Sequence, residues 1–159
     1  MGTSFDITKL IDVAIADERS GIELYKALAN KAKNEELKGV FNTLSAVEEV
    51  HCSQFETMND ELKKDPSKGA YPDEYVDYLE ALSAEGGKSD AFARIDASKD
   101  DVELLNLSIE FEKEQLSLQK DIGEALGDKY QPIIDKIIKE ERDHLVVLSR
   151  AKKKIPLSL

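Results

Sequence analysis

Apolar residues recur along this chain in steps that alternate between four and three, the mark of helices packed side by side. The first stripe runs Ile7, Ile11, Ala14, position 18, Gly21, Tyr25, Leu28 and Ala32. The second runs Leu37, Phe41, Leu44, positions 48 and 51, Phe55, Met58 and Leu62. The third runs Val102, Leu105, Ile109, position 112, Leu116, Gln119, Gly123 and Leu126. The fourth runs Tyr130, Ile134, Ile137, positions 141 and 144, Leu148, Ala151 and Ile155. Four long helices are therefore predicted, over about 6–33, 34–64, 99–126 and 130–154. Ser4 or Asp6, Asn34 and Ser98 are expected to cap the first three, and Pro132 suits the first turn of the fourth. Asp65-Pro66-Ser67-Lys68-Gly69, Gly127-Asp128 and Pro156 are stops.

Residues 66–98 form a long connection with a short helix, Asp73 to Ala84, followed by Glu85-Gly86-Gly87-Lys88. Its length suits a crossover from one end of a bundle to the other, with Tyr71, Tyr75, Tyr78 and Phe92 expected to anchor it. The predicted fold is all-α. It is an antiparallel four-helix bundle made of two hairpins, forming one domain.

The stripes are interrupted near their middles, and always by groups that can ionise: Glu18, Glu48 with His51, Glu112, and Glu141 with His144. The chain has two histidines, and each lies three residues after a glutamate, on the same helical face. Four carboxylates in a core cost several kcal/mol each unless paired or ligated. No lysine or arginine lies on any stripe, so compensating cations must come from outside. The interruptions also share one level. Glu18 and Glu48 are 30 residues apart, and Glu112 and Glu141 are 29 apart, which places all of them roughly 22 Å from the hairpin turns. Two hairpins about a pseudo-two-fold axis would then hold two divalent ions. Glu48 and Glu141 would bridge or chelate, and Glu18 and Glu112 would bind terminally. Carboxylate with imidazole suits iron, manganese or zinc.

Composition narrows the field. A net charge of −11, with both signs mixed along the chain, argues against nucleic acid and anionic membranes as partners. No apolar run approaches a membrane span. Residues 1–10 carry no basic or apolar leader pattern, and the lone Cys52 excludes an intrachain disulfide, so a reducing cytoplasm is expected.

One Glu from each of two helices and one Glu-x-x-His from each of the others is the ligand pattern of carboxylate-bridged dimetal bundles. Ala14-Ile15-Ala16-Asp17-Glu18 through Leu24-Tyr25, Ala46-Val47-Glu48-Glu49-Val50-His51, Ile109-Glu110-Phe111-Glu112-Lys113 and Lys139-Glu140-Glu141-Arg142-Asp143-His144 carry a resemblance to the rubrerythrin-type branch of the ferritin-like superfamily. The chain resembles the di-iron part of such proteins alone. The resemblance implies two iron ions, reduction of hydrogen peroxide or dioxygen, and a homodimer. Full rubrerythrins also carry a cysteine-ligated, rubredoxin-like iron site. One cysteine cannot form that site, so electrons would come from an external donor such as a rubredoxin or flavoprotein. The family often has a further glutamate three residues after the third-helix ligand, where this chain has Gln115. Iron handling by ferroxidation or storage, and a metal-stabilised bundle without catalysis, are the competing readings.

Several neighbours have two readings each. Tyr25 and Gln119 lie two turns beyond Glu18 and Glu112, as hydrogen-bonding support for a carboxylate or as core residues. Glu140 can orient an imidazole across the bundle or stand as a solvated charge. Gly21 leaves room for a small oxidant or for a close helix contact. Cys52 points off the ligand face as a packed thiol, and Glu49, Glu110 and Glu114 are expected in solvent.

Overall fold

The computed structural model describes residues 3–4, 6–65, 70–71, 73–84 and 90–155. The stops at Pro66 to Gly69, at Glu85 to Lys88 and at Pro156 lie outside the described residues, as does the side chain of Tyr71. Six helices follow in order: α1 (Thr8–Lys31), α2 (Glu35–Lys63), α3 (Asp73–Ala84), α4 (Ala91–Ala97), α5 (Asp101–Ala125) and α6 (Gln131–Lys154). A 3-10 turn, Asp128–Tyr130, leads into α6. One antiparallel pair of two-residue strands, β1 (Thr3–Ser4) and β2 (Ala70–Tyr71), ties the start of the chain to the connection. No helix among the described residues is long and apolar enough to cross a membrane.

α1 packs antiparallel on α2, and α5 on α6. Local chemistry sets the ends. The Asp6 carboxylate accepts the Thr8 amide at 3.0 Å, and Asn34 Oδ1 accepts the Leu37 amide at 3.0 Å. At the end of α5, Gln131 Nε2 donates to the carbonyls of Gly123 (2.6 Å) and Leu126 (3.1 Å). Asp101, at the start of α5, accepts the amides of Lys33 and Asn34 at 2.9 Å each. That pair pins the far end of the crossover to the α1–α2 turn, so α5 runs parallel to α2 and α6 parallel to α1.

Four expectations about the connection and α5 are corrected. The connection carries two helices, since Ala91–Ala97 is helical in addition to α3. Ser98 therefore ends α4, and Asp100 caps α5 by accepting the Glu103 amide at 2.9 Å. Tyr78 and Phe92 are exposed, and the connection is instead anchored by Val76, Ala91 and Ile95, with Tyr75 half-buried. The third stripe is rotated as well. Val102, Ile109 and Leu116 are half-buried, while Ser108, Phe111 and Gln115 are buried. α5 meets α1 as well as α6, and its inward face is turned toward both. α3 and α4 lie along α1, and α4 also touches α5.

The core divides in two. One apolar cluster, including Leu10, Ile11, Phe55, Met58, Ile122, Ile134 and Ile137, fills one end of the bundle. Another, including Leu24, Leu28, Phe41, Leu44, Leu105 and Leu148, fills the other. Between them lies a layer of polar side chains with almost no contact with solvent.

Candidate metal centre

Each interrupted stripe delivers its polar group into that middle layer. Glu18 (α1), Glu48 and His51 (α2), Glu112 (α5) and Glu141 and His144 (α6) are all buried, five of them with no exposure. They form two overlapping groups. Glu18, Glu48, His51 and Glu141 make one, and Glu48, Glu112, Glu141 and His144 the other. In each, one ligand atom per residue lies within 4.8 Å of all the rest, a spacing at which the group could hold a metal ion. Glu48 and Glu141 belong to both.

Both imidazoles turn Nδ1 inward. His51 Nδ1 lies 2.9 Å from Glu141, 3.6 Å from Glu48 and 3.8 Å from Glu18. His144 Nδ1 lies 3.0 Å from Glu141, 3.2 Å from Glu112 and 3.7 Å from Glu48. The rings are nearly parallel, with centroids 6.0 Å apart. Three neighbours hold the carboxylates. Gln119 Nε2 donates to Glu18 (2.8 Å) and Glu141 (3.1 Å). The Tyr25 hydroxyl donates to Glu112, and its ring packs on Phe41 and edge-on against Phe111. Gln115 Nε2 reaches Glu48 at 3.4 Å.

The electrostatics describe a cage built around positive charge. Burial, and then the neighbouring Glu48, push the carboxyl of Glu18 well above its usual range. Burial does the same to Glu112, against a hydrogen bond from His144. For Glu141, burial is outweighed by the close imidazoles of His144 and His51, which hold it well below the usual range. Burial lowers the imidazoles, but bonds to these carboxylates outweigh it and raise each to about 10. Even so, one oxygen each of Glu18, Glu48, Glu112 and Glu141 is buried without a hydrogen-bonding partner among the described residues. Glu141 Oε2 is within 3.0 Å of His144 but outside hydrogen-bonding geometry. Unpaired buried carboxylate oxygens converging with two imidazole nitrogens fit divalent cations, and among the described residues no lysine or arginine enters the cage to replace them.

The six stripe residues are brought together as the spacing predicts. Glu140 accepts from His51 Nε2 at 2.6 Å across the bundle, although a third of its side chain is exposed. Tyr25 is both a core residue and a hydrogen-bond donor to a cage carboxylate. Gly21 serves a close contact, since a Cβ there would stand 3.3 Å from the Phe111 ring. Cys52 is buried beside Glu56, and Glu49, Glu110 and Glu114 are in solvent. Asp17 escaped the stripe reading. It is buried on the side of α1 that faces α5, beside Gln115, and burial with Glu48 and Glu141 raises its carboxyl to about 7. The signal was available, because Leu10, Asp17 and Leu24 form a second seven-residue stripe.

No curated protein matches the chain. Its fold is similar to the crystal structure of a candidate ferritin-like diiron-carboxylate protein from Thermotoga maritima, with TM-score 0.73 over 97% of this chain and 99% of that one. At 21% identity that likeness speaks for the fold. The rubrerythrin family model matches residues 9–152, a span that holds all six cage residues and both hairpins. With that match, the chain belongs to the rubrerythrin family.

Proposed function

We propose that this chain binds two iron ions in the cage and reduces hydrogen peroxide or dioxygen with electrons from a separate donor. The observation that carries the reading is the set of converging buried carboxylate oxygens with no lysine or arginine beside them among the described residues, at a layer where two groups of ligands share Glu48 and Glu141. Glu18 with His51 would hold one ion and Glu112 with His144 the other, with Glu48 and Glu141 between them. Two ferrous ions held there would together supply the two electrons that cleavage of the peroxide O–O bond needs, without one-electron products, while full reduction of dioxygen would draw two more from the donor.

The protein residues position and insulate. Gln119 and the Tyr25 hydroxyl fix Glu18, Glu141 and Glu112 by donated hydrogen bonds. Glu140 fixes the ring of His51 from behind, leaving Nδ1 for the ion. Phe111 and the two apolar clusters keep bulk water from the layer, which strengthens every charge interaction inside. One cysteine cannot form a cysteine-ligated electron-transfer centre within these residues, and the proposed reductant is a centre outside them.

The test is to load the protein with Fe(II) without oxygen and follow absorbance on adding peroxide or air. Oxidation by one equivalent of peroxide per iron pair, complete within seconds, supports the reading. Two bound irons that stay ferrous under peroxide would reduce the site to a structural one. Rapid oxidation by air in a large multi-subunit shell would turn the reading toward iron storage.

A further inference from the structure

Two buried side chains of the middle layer carry orphaned oxygens that the cage does not explain. Asp17 (α1) and Gln115 (α5) are 8% and 1% exposed. Asp17 Oδ2 and Gln115 Oε1 have no hydrogen-bonding partner among the described residues. The orphaned oxygens of the four glutamates point to metal, because those residues make up the two ligand groups. Asp17 belongs to neither group, and Gln115 offers only a neutral amide. A buried acceptor left unpaired is unfavourable, so these two atoms call for donors that the described residues do not supply.

Both atoms belong to one place. Gln115 lies beside the Asp17 carboxyl. Its Nε2 reaches Glu48 Oε2 at 3.4 Å. A carboxylate only accepts, so the amide nitrogen faces Glu48 and the amide oxygen is left over. One turn toward the α1–α2 turn, Gly21 and Phe111 close the place off. A Cβ on residue 21 would stand 3.3 Å from the Phe111 ring and 3.5 Å from Gln115 Nε2. The imidazoles come from the other side of the layer, where His144 lines the hollow between α2 and α6 and Glu140 backs His51. The α1–α5 side brings no ring of that kind, and it borders Glu48, which both ligand groups share.

The chemistry of the place defines what fits it. Anions are repelled by Asp17 and Glu48, and by Glu114 in the solvent beside Asp17. An apolar molecule leaves both acceptors unpaired. Hydrogen peroxide is small and uncharged and carries an O–H at each end, so it can donate to Asp17 and Gln115 at once. Dioxygen has no donor. An alkyl hydroperoxide has one, with a bulk for which the close contact of Gly21 and Phe111 leaves no room.

Resting on the reading of the cage as a peroxide- or dioxygen-reducing centre, we propose that Asp17 and Gln115 form its oxidant subsite. They hold hydrogen peroxide beside Glu48 and select it over dioxygen. Water is the other small double donor, and it is the competitor that peroxide must displace.

The test has one arm without iron and one with it, both on the full chain. In metal-free protein the side-chain amide of Gln115 is followed by proton–nitrogen NMR and assigned by its loss in Gln115→Leu. Hydrogen peroxide should move this signal with a midpoint at millimolar concentration. Asp17→Ala should raise that midpoint about tenfold, as the loss of one of two hydrogen bonds requires. tert-Butyl hydroperoxide should leave the signal in place. In ferrous-loaded protein, stopped-flow absorbance gives the rate constants of oxidation by peroxide and by dioxygen. Gln115→Leu and Asp17→Ala should each lower the ratio of the first to the second about tenfold. A signal that stays fixed up to about 100 mM peroxide overturns the proposal. So does an equal loss of rate with both oxidants, which is what a role confined to holding Glu48 would give. Irons that stay ferrous under peroxide while the amide signal still moves would sink the iron reading and leave the subsite standing.

Discussion

Glu140→Gln removes one negative charge from behind His51 and leaves the shape almost unchanged. His51 Nε2 meets the Glu140 carboxylate at 2.6 Å, the short distance of a charge-assisted hydrogen bond. Such a bond is worth about 1.5–3 kcal/mol. About a third of the Glu140 side chain is exposed, so water replaces part of it, and a loss of about 1–2 kcal/mol in metal binding is expected. That is roughly a five- to thirty-fold weaker affinity. The loss should fall on one ion of the pair. The residue that precedes Glu48, as Glu140 precedes Glu141, is Val47, which has no acceptor to offer His144. Titration with Fe(II) or Co(II) against a competing chelator should therefore separate two binding steps in the variant, one weakened and one unchanged. Equal weakening of both steps, or a change of less than twofold in each, would refute the assignment of Glu140 as the residue that orients His51.

Other consequences can be checked on the same preparations. Tyr25→Phe deletes the donor to Glu112 and should lower the stability of metal-free protein by about 1–3 kcal/mol, read as a drop in Tm. In the metal-free state the raised groups bind protons more tightly folded than unfolded: Asp17 moves from 3.8 to about 7, and both imidazoles from 6.5 to about 10. Their stabilisation is complete below the unfolded values and is lost as pH rises through the folded ones, so the metal-free Tm should fall between about pH 5 and pH 9. Glu141, depressed by the imidazoles, has the opposite effect, and only in acid below its ordinary 4.5. A metal-free Tm that rises over that range would contradict the cage electrostatics. Gly21→Ala forces a Cβ to 3.3 Å from Phe111 and should cost about 1–3 kcal/mol, whereas Gly39→Ala, with open space around it, should gain about 0.5–1 kcal/mol without altering metal content; urea melts measure both.

The cage was legible because its chemistry conflicts with its position. A glutamate in the solvent-facing part of a helix says little. Glu18, Glu48, Glu112 and Glu141 stand where the period demands an apolar side chain, and two of them are followed at i+3 by the chain's only histidines. The bundle was legible for the same reason, through the stripes themselves. The part that was not legible depends on how helices turn toward more than one neighbour. α5 packs on both α1 and α6, so its buried face is wider than one stripe, and this brought in Ser108, Phe111 and Gln115. Asp17 was hidden by the same widening on α1. In the connection, small apolar residues won over aromatic ones. Val76, Ala91 and Ile95 fit against α1, while Tyr78 and Phe92 remain outside. The start of α5 was misplaced because Ser98 and Asp100 are both acceptable caps, and the short helix that claims Ser98 has too few residues to show a period.

The central claim is a two-ion cage centred on Glu48 and Glu141, and anaerobic Fe(II) titration with metal counted per chain tests it most directly. Wild-type protein should bind two irons per chain, and Glu48→Ala with Glu141→Ala should bind none while keeping its helix content. One iron or fewer in the wild type, or two irons retained in the double variant, would contradict the account.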